Sequence, residues 1–175
     1  NKGVIGVYSK GFNDIKNKGK IELTGDDSTA IYGNNSTVTN DNGNIKIGNT
    51  GSGIYVENGT GTNDGRIEIG KGSIGIVTVG GAIRNDINGV ITSSSTNAIG
   101  MTQDGNGGSI DVINNGTINL SGSGSTGIYA KGSAAGTPNI ENSSTGNINV
   151  ADNSAAIYGL GNTTITNNGN ITMKA

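Results

Sequence analysis

Histidine and cysteine are both missing from this chain, and with them the commonest general base, the commonest metal ligand and any disulfide. The side chains left to do chemistry are five tyrosines, 13 acids and 11 bases. The tyrosines are the most ordered set. Tyr8, Tyr32, Tyr55, Tyr129 and Tyr158 each follow a small residue and an aliphatic one, as in Gly53-Ile54-Tyr55 and Ala156-Ile157-Tyr158. If the aliphatic residue points into a core, strand alternation turns the tyrosine outward. The row is then either a stacked shield over the backbone or an aromatic strip on which a sugar or a partner protein docks. Val77 and Gly100 interrupt it midway.

Two longer stretches, near residues 102–109 and 131–139, offer Gln103, Asp104, Asn106 and Lys131 on expected surface loops. A calcium ion held by Asp104 and loop carbonyls would rest on one acid, a thin set beside the six to eight oxygens the ion takes. No metal and no cofactor are expected. Asp26, Asp27, Asp41, Asp64, Asp86 and Asp152 are spread along the chain, and no acidic position is repeated through all the units. Solenoid enzymes that cleave polysaccharides need such groups clustered in one groove, so no catalytic residue is assigned and the chain reads as a non-enzyme.

The elements that carry these residues follow from composition and repetition. Hydrophobic residues make up 31%, against about 45–50% in ordinary globular chains. Charged residues are only 14% and the net charge is −2, so the high charge of disordered chains is also missing. The same balance argues against nucleic acid, which needs clustered Lys and Arg. No apolar run approaches the roughly 18 residues of a spanning helix. Three short signatures recur seven times in fixed order. The first is the small–aliphatic–outward triplet around Val7, Ile31, Ile54, Ile76, Ile99, Ile128 and Ile157. The second places Asn17, Asn40, Asn63, Asn85, Asn114, Asn142 and Asn167 two residues after a usually aliphatic one, Gly61 being the exception. The third is Gly-x-aliphatic-x-aliphatic, as in Gly43-Asn44-Ile45-Lys46-Ile47, with Ser93 breaking its last position in the fourth unit.

The triplets recur at intervals of 24, 23, 22, 23, 29 and 29 residues, the long ones coming from insertions in the fifth and sixth units. Three short alternating strands per unit of about 22 residues predict an all-β chain, a right-handed parallel β-helix of seven coils. At about 4.8 Å per coil the rod is roughly 34 Å long. Few apolar residues suffice because each stacks on its counterpart. The asparagines are expected at bends, where they tolerate the left-handed conformation and their amides bond from coil to coil. The glycine opening the third signature is expected as a turn residue. An ice-binding face is not expected, because no Thr-x-Thr ladder recurs at one position.

Repeated Gly-Ile-Tyr, aliphatic-x-Asn and Asn-x-Gly-x-Ile units in a cysteine-free chain rich in Asn, Gly, Ser and Thr resemble the passenger regions of type V autotransporter adhesins. The likeness is nearest to the very large outer-membrane adhesins of fusobacteria. It spans residues 1–175 as a single β-helical segment. The resemblance implies a stalk on the bacterial surface, outer-membrane-anchored or secreted, and a role in cell adhesion and virulence. Its partners would be a surface protein or glycan of a host cell or another bacterium. The membrane would be met only through a β-barrel outside this segment, and the segment is expected to be an internal piece of a longer passenger. The alternatives are a glycan-processing β-helix of the tailspike or polysaccharide-lyase kind and a self-assembling surface-layer protein.

Overall fold

The computed structural model describes residues 2–104, 111–133 and 136–174. Within them the chain winds into seven coils of three strands each, forming three seven-stranded parallel sheets and no helix. Sheet 1 stacks the six-residue strands Ile5–Lys10, Thr29–Asn34, Ser52–Glu57, Ile74–Val79, Ile99–Asp104, Thr126–Lys131 and Ala155–Leu160. Sheets 2 and 3 stack four-residue strands, of which Ala82–Asn85 and Val90–Ser93 represent the fourth coil. Every pairing joins a strand to its counterpart one coil away, so like side chains lie over like.

The core is a set of ladders. Sheet 3 contributes Ile21, Ile45, Ile67, Ile91, Ile118, Ile148 and Ile171 in one continuous column. Ser93, at the apolar position of the fourth coil, is buried and donates its hydroxyl to the Ile69 carbonyl at 2.7 Å. Ile54 is fully buried, as the triplet pattern requires. Coils 1 and 7 have a neighbour on one side only, which leaves Val7, Ile165, Ile171 and Met173 exposed.

In the fifth coil the core residue is not Ile99. Ile76 pairs with Met101, and Met101 pairs with Ile128; Ile99 pairs instead with Ile74 and Thr126. The fifth triplet is therefore Gly100-Met101-Thr102, and the outward position in the tyrosine column belongs to Thr102, not Gly100. The bend residues agree. Gly3, Asp27, Thr50, Gly72, Asn97, Gly124 and Asn153 each lie four residues before the core residue of their coil, and all have φ between 53° and 71°. These are the left-handed positions that Gly, Asn and Asp tolerate best.

The seven ladder asparagines do something different from what a bend would ask. They sit inside strands with ordinary φ, facing inward, and Asn40, Asn63, Asn85, Asn114 and Asn142 are completely buried. Each Nδ2 donates to the Oδ1 of the next coil, from Asn17 through to Asn167, at 2.8–2.9 Å. The third-signature glycines from Gly43 onward serve the same ladder, whereas Gly19 has open space around it. A Cβ on Gly89 would collide with Asn85 Oδ1 and with the Asn63 carbonyl, so glycine is required there by close approach and not by turn geometry. Thr-x-Thr also recurs at one position: Thr37 and Thr39 pair with Thr60 and Thr62. The ladder covers only two adjacent coils, bounded by Asp14 and Lys16 on one side and Ala82 and Arg84 on the other.

Gly61 is a defect in the second-sheet column between Val38 and Ile83. A Cβ there would touch three isoleucine methyls at 3.4 Å, an ordinary contact distance. Gly61→Ala is expected to raise the unfolding free energy by about 1 kcal/mol, from reduced chain entropy and one buried methyl. Urea denaturation checks this, and a loss of stability would contradict the packing described.

Candidate functional site

The outer face of sheet 1 carries three columns of side chains. Its central column reads Tyr8, Tyr32, Tyr55, Val77, Thr102, Tyr129, Tyr158 along the axis. The rings stack: centroids lie 5.2 Å apart between Tyr8 and Tyr32, 5.5 Å between Tyr32 and Tyr55, and 5.7 Å between Tyr129 and Tyr158. Interplanar angles of 1–20° show that the ring faces, not the edges, point along the rod. All five tyrosines thus share one surface strip, as alternation predicts.

Val77 and Thr102 are too short to continue the stack, so two ring positions are vacant between Tyr55 and Tyr129. Three coil steps separate those two rings, about 14 Å at strand spacing. The vacancy is a trough of about 440 Å³. Ile74 and Ile99 flank its floor on one side, and Val79, Asp104 and Lys131 on the other. The trough therefore has aromatic end walls, an aliphatic floor, and one acid and one base at its rim.

Burial raises the pKa of the Tyr55 phenol, and the Glu57 and Asp104 carboxylates nearby raise it further. Tyr32 shifts upward too, first through burial and then through hydrogen bonding to Glu57, with Asn34 opposing. Both phenols stay protonated at neutral pH and act as neutral donors. Asn34 also donates to Glu57 Oε2 at 2.7 Å, which fixes that carboxylate beside the strip.

The sequence-derived candidates divide accordingly. Tyr55, Tyr129, Asp104 and Lys131 meet at the trough, Tyr8 and Tyr32 stack behind one wall, and Tyr158 stacks behind the other. Gln103 does not belong to the surface. It lies in the strand Ile99–Asp104 with its side chain facing inward, 1% exposed, and among the described residues its Oε1 has no hydrogen-bond partner. The expected loop over 102–109 begins later than the sequence suggested, because Thr102, Gln103 and Asp104 are strand residues; Lys131 and Asn139 are strand residues likewise. Asn106 lies outside the described residues. Ile74, Val77, Val79, Ile99 and Thr102 were missed. Their signal was available: the flanking column holds isoleucine only at Ile5, Ile74 and Ile99, where other coils carry Thr29, Ser52, Thr126 or Ala155.

Several of the remaining charges pair on the other faces. Lys46 meets Glu68 at 2.9 Å on sheet 3, and Lys20 meets Glu22 two positions along its own strand. The Lys20 ammonium lowers the Glu22 pKa, and Glu68 raises that of Lys46. Such exposed pairs keep this face solvated and contribute little. Among the described residues no three acidic or metal-ligating side chains come together to hold a metal ion. Compared with protein-family models, curated proteins and solved structures, the chain matches none of them.

Proposed function

We propose that this chain is a non-enzymatic segment of a bacterial surface adhesin, a β-solenoid stalk whose tyrosine-bearing face contacts a partner on another bacterium or on a host cell. In this reading the segment stands outside the outer membrane, held by a β-barrel that lies beyond it or released from the surface. The observation that carries the reading is the gathering of all five tyrosines, the trough, Asp104 and Lys131 on one face of a rigid rod. Aromatic side chains around a pocket with a charged rim are the usual composition of a protein contact surface. The stack leaves ring faces open at the trough, which suits either an apolar side chain or the C–H face of a sugar.

The test is adhesion itself. Beads coated with the whole chain are expected to retain bacterial or epithelial cells, and Tyr55→Ala with Tyr129→Ala is expected to weaken retention about tenfold, the scale of losing aromatic contacts worth about 1–2 kcal/mol. Both substitutions are on the surface, so the melting behaviour serves as the control. Beads that retain nothing, or new reducing ends released from polysaccharides incubated with the chain, would overturn the reading.

A further inference from the structure

We propose that the trough is a self-recognition site, filled by the Tyr129–Tyr158 pair of a second copy of this chain packed antiparallel against the same face. The knob and the hole are the same size. The hole lacks two consecutive rings, those of coils 4 and 5. The knob is the two stacked rings of coils 6 and 7, at 5.7 Å. A two-fold axis along the strand direction of sheet 1 sets coil 4 of one copy against coil 7 of the other, and coil 5 against coil 6. Both holes are then filled at once, the isologous arrangement that closes a dimer. The two interrupted stacks merge into one. Reading along the axis, Tyr55 of the first copy is followed by Tyr158 and Tyr129 of the second, then by Tyr129 and Tyr158 of the first, then by Tyr55 of the second.

The same operation tests itself on the neighbouring column, which reads Glu57, Val79, Asp104, Lys131, Leu160 from coil 3 to coil 7. It brings Asp104 of each copy opposite Lys131 of the other, giving two ion pairs, and Val79 opposite Leu160, both apolar. On the far column it sets Ile74 against Ala155 and Ile99 against Thr126, with no charge facing apolar surface. Tyr158 and Leu160 stand in the two outward columns of sheet 1, the face that carries the trough. Four coils of six-residue strand present about 400 Å² per copy by strand dimensions. The total of about 800 Å² is below the roughly 1,200 Å² of a stable specific complex, so the dimer is weak, with a Kd of about 10–1,000 μM. The assignment stands on shape and charge alone and does not rest on the adhesive reading; the dimer forms in solution whether or not the chain sits on a cell.

Sedimentation of the whole chain from about 10 μM to about 1 mM is expected to show a monomer–dimer equilibrium in this range. The decisive variant fills the hole: Val77→Tyr with Thr102→Tyr completes the chain's own ring stack, and its melting temperature is expected to equal or exceed the parent's. Its dimerisation is expected to weaken at least about tenfold, one hot-spot contact's worth. Lys131→Asp alone, which sets like charges face to face, is expected to weaken the dimer about tenfold, and adding Asp104→Lys to it restores the parent's affinity. Association through the exposed end coils is untouched by these changes, so persistence in the filled variant would overturn the proposal. So would a parent that stays monomeric at about 1 mM, or a charge swap no tighter than the single reversal. A glycan that occupies the trough of a parent that remains monomeric would also overturn it and give the trough to a sugar.

Discussion

Asn85→Leu lowers the unfolding free energy by about 4 kcal/mol, although leucine has asparagine's branched skeleton and prefers the interior. Asn85 is fully buried at the middle of the ladder. It accepts from Asn63 Nδ2 at 2.8 Å and donates to Asn114 Oδ1 at 2.9 Å and to the Gly89 carbonyl at 3.2 Å. Leucine leaves Asn114 Oδ1 without a donor and deprives Asn63 of its coil-to-coil bond. A buried polar atom left unpaired costs about 1–3 kcal/mol; Asn114 Oδ1 is orphaned outright, and on the other side of the break Asn63 Nδ2 keeps only its bond to the Gly65 carbonyl. Asn17→Leu, at the half-buried first coil, severs the bond to Asn40 Oδ1 and two exposed local bonds with Gly19; it breaks the ladder at its end, on one side only, and is expected to cost about 1–2 kcal/mol. Urea denaturation of the two variants checks the ratio. Equal losses would show that the ladder contributes nothing beyond ordinary burial.

Asn85→Asp sharpens the point by adding a sign. An aspartate can still accept from Asn63, but its second oxygen then faces Asn114 Oδ1 with no proton between them. Burial without a second donor favours the neutral acid, so folding raises this carboxyl's pKa. The variant is therefore least stable, relative to the parent, above the raised folded-state pKa. The deficit shrinks as pH falls through that value toward the ordinary carboxyl value of about 3.9. A variant whose deficit instead grows on acidification would show that the carboxylate has found a donor, which the ladder does not supply.

The ladders explain how much of the molecule can be read from its sequence. A solenoid repeats each structural choice seven times, so errors at one coil are outvoted by six others. That is why the three-strand coil, the stacked isoleucines and the shared tyrosine face are all visible in the residues of a chain only 31% hydrophobic. What fails is single-coil detail. Gln103 looks like loop because the strand end is set by pairing with Thr78 and Ala130, not by anything local in Thr-Gln-Asp-Gly. Its buried unpaired oxygen is a cost that no propensity rule anticipates. The glycines before the third strand look like turn residues because glycine usually signals a turn; here the space is taken by the amide of the ladder. The trough is harder still to see. It is an absence, two rings not present, and it becomes a site only once Val77 and Thr102 are known to lie in the same column.

The fifth-coil register is where reading and structure part most sharply, and it gives a decisive comparison. Met101→Asp is expected to destabilise the chain by about 5 kcal/mol, whereas Ile99→Asp costs about 1 kcal/mol or less. Ala98-Ile99-Gly100 imitates a triplet, and because 99 and 101 have the same parity, strand alternation cannot choose between them. Three facts do. Counted to Met101, the step from the preceding third-sheet isoleucine is 10 residues, within the 9–10 of every other coil; counted to Ile99 it is 8. Asn97, with φ of 59°, falls four residues before Met101, the spacing of the bend residue in all seven coils. And Gly100 falls in the close-packed column of Gly75 and Gly127, which holds nothing larger than Ala30 and Ala156: a Cβ on Gly75 would lie 2.5 Å from the Gly100 carbonyl oxygen. The alternation breaks at this small residue, so the side chain before it returns to the outer face. Met101 is accordingly 0% exposed between Ile76 and Ile128, and a carboxylate there would be buried with no partner. Ile99 borders the trough in a column that already carries threonine and serine. Should Met101→Asp fail to fold at all, Met101→Ala against Ile99→Ala keeps the order, at about 2–5 kcal/mol for the buried methionine and under about 1 kcal/mol for the isoleucine. A larger loss at Ile99 in either pair would return it to the core and remove the vacancy at coil 5 on which the trough depends.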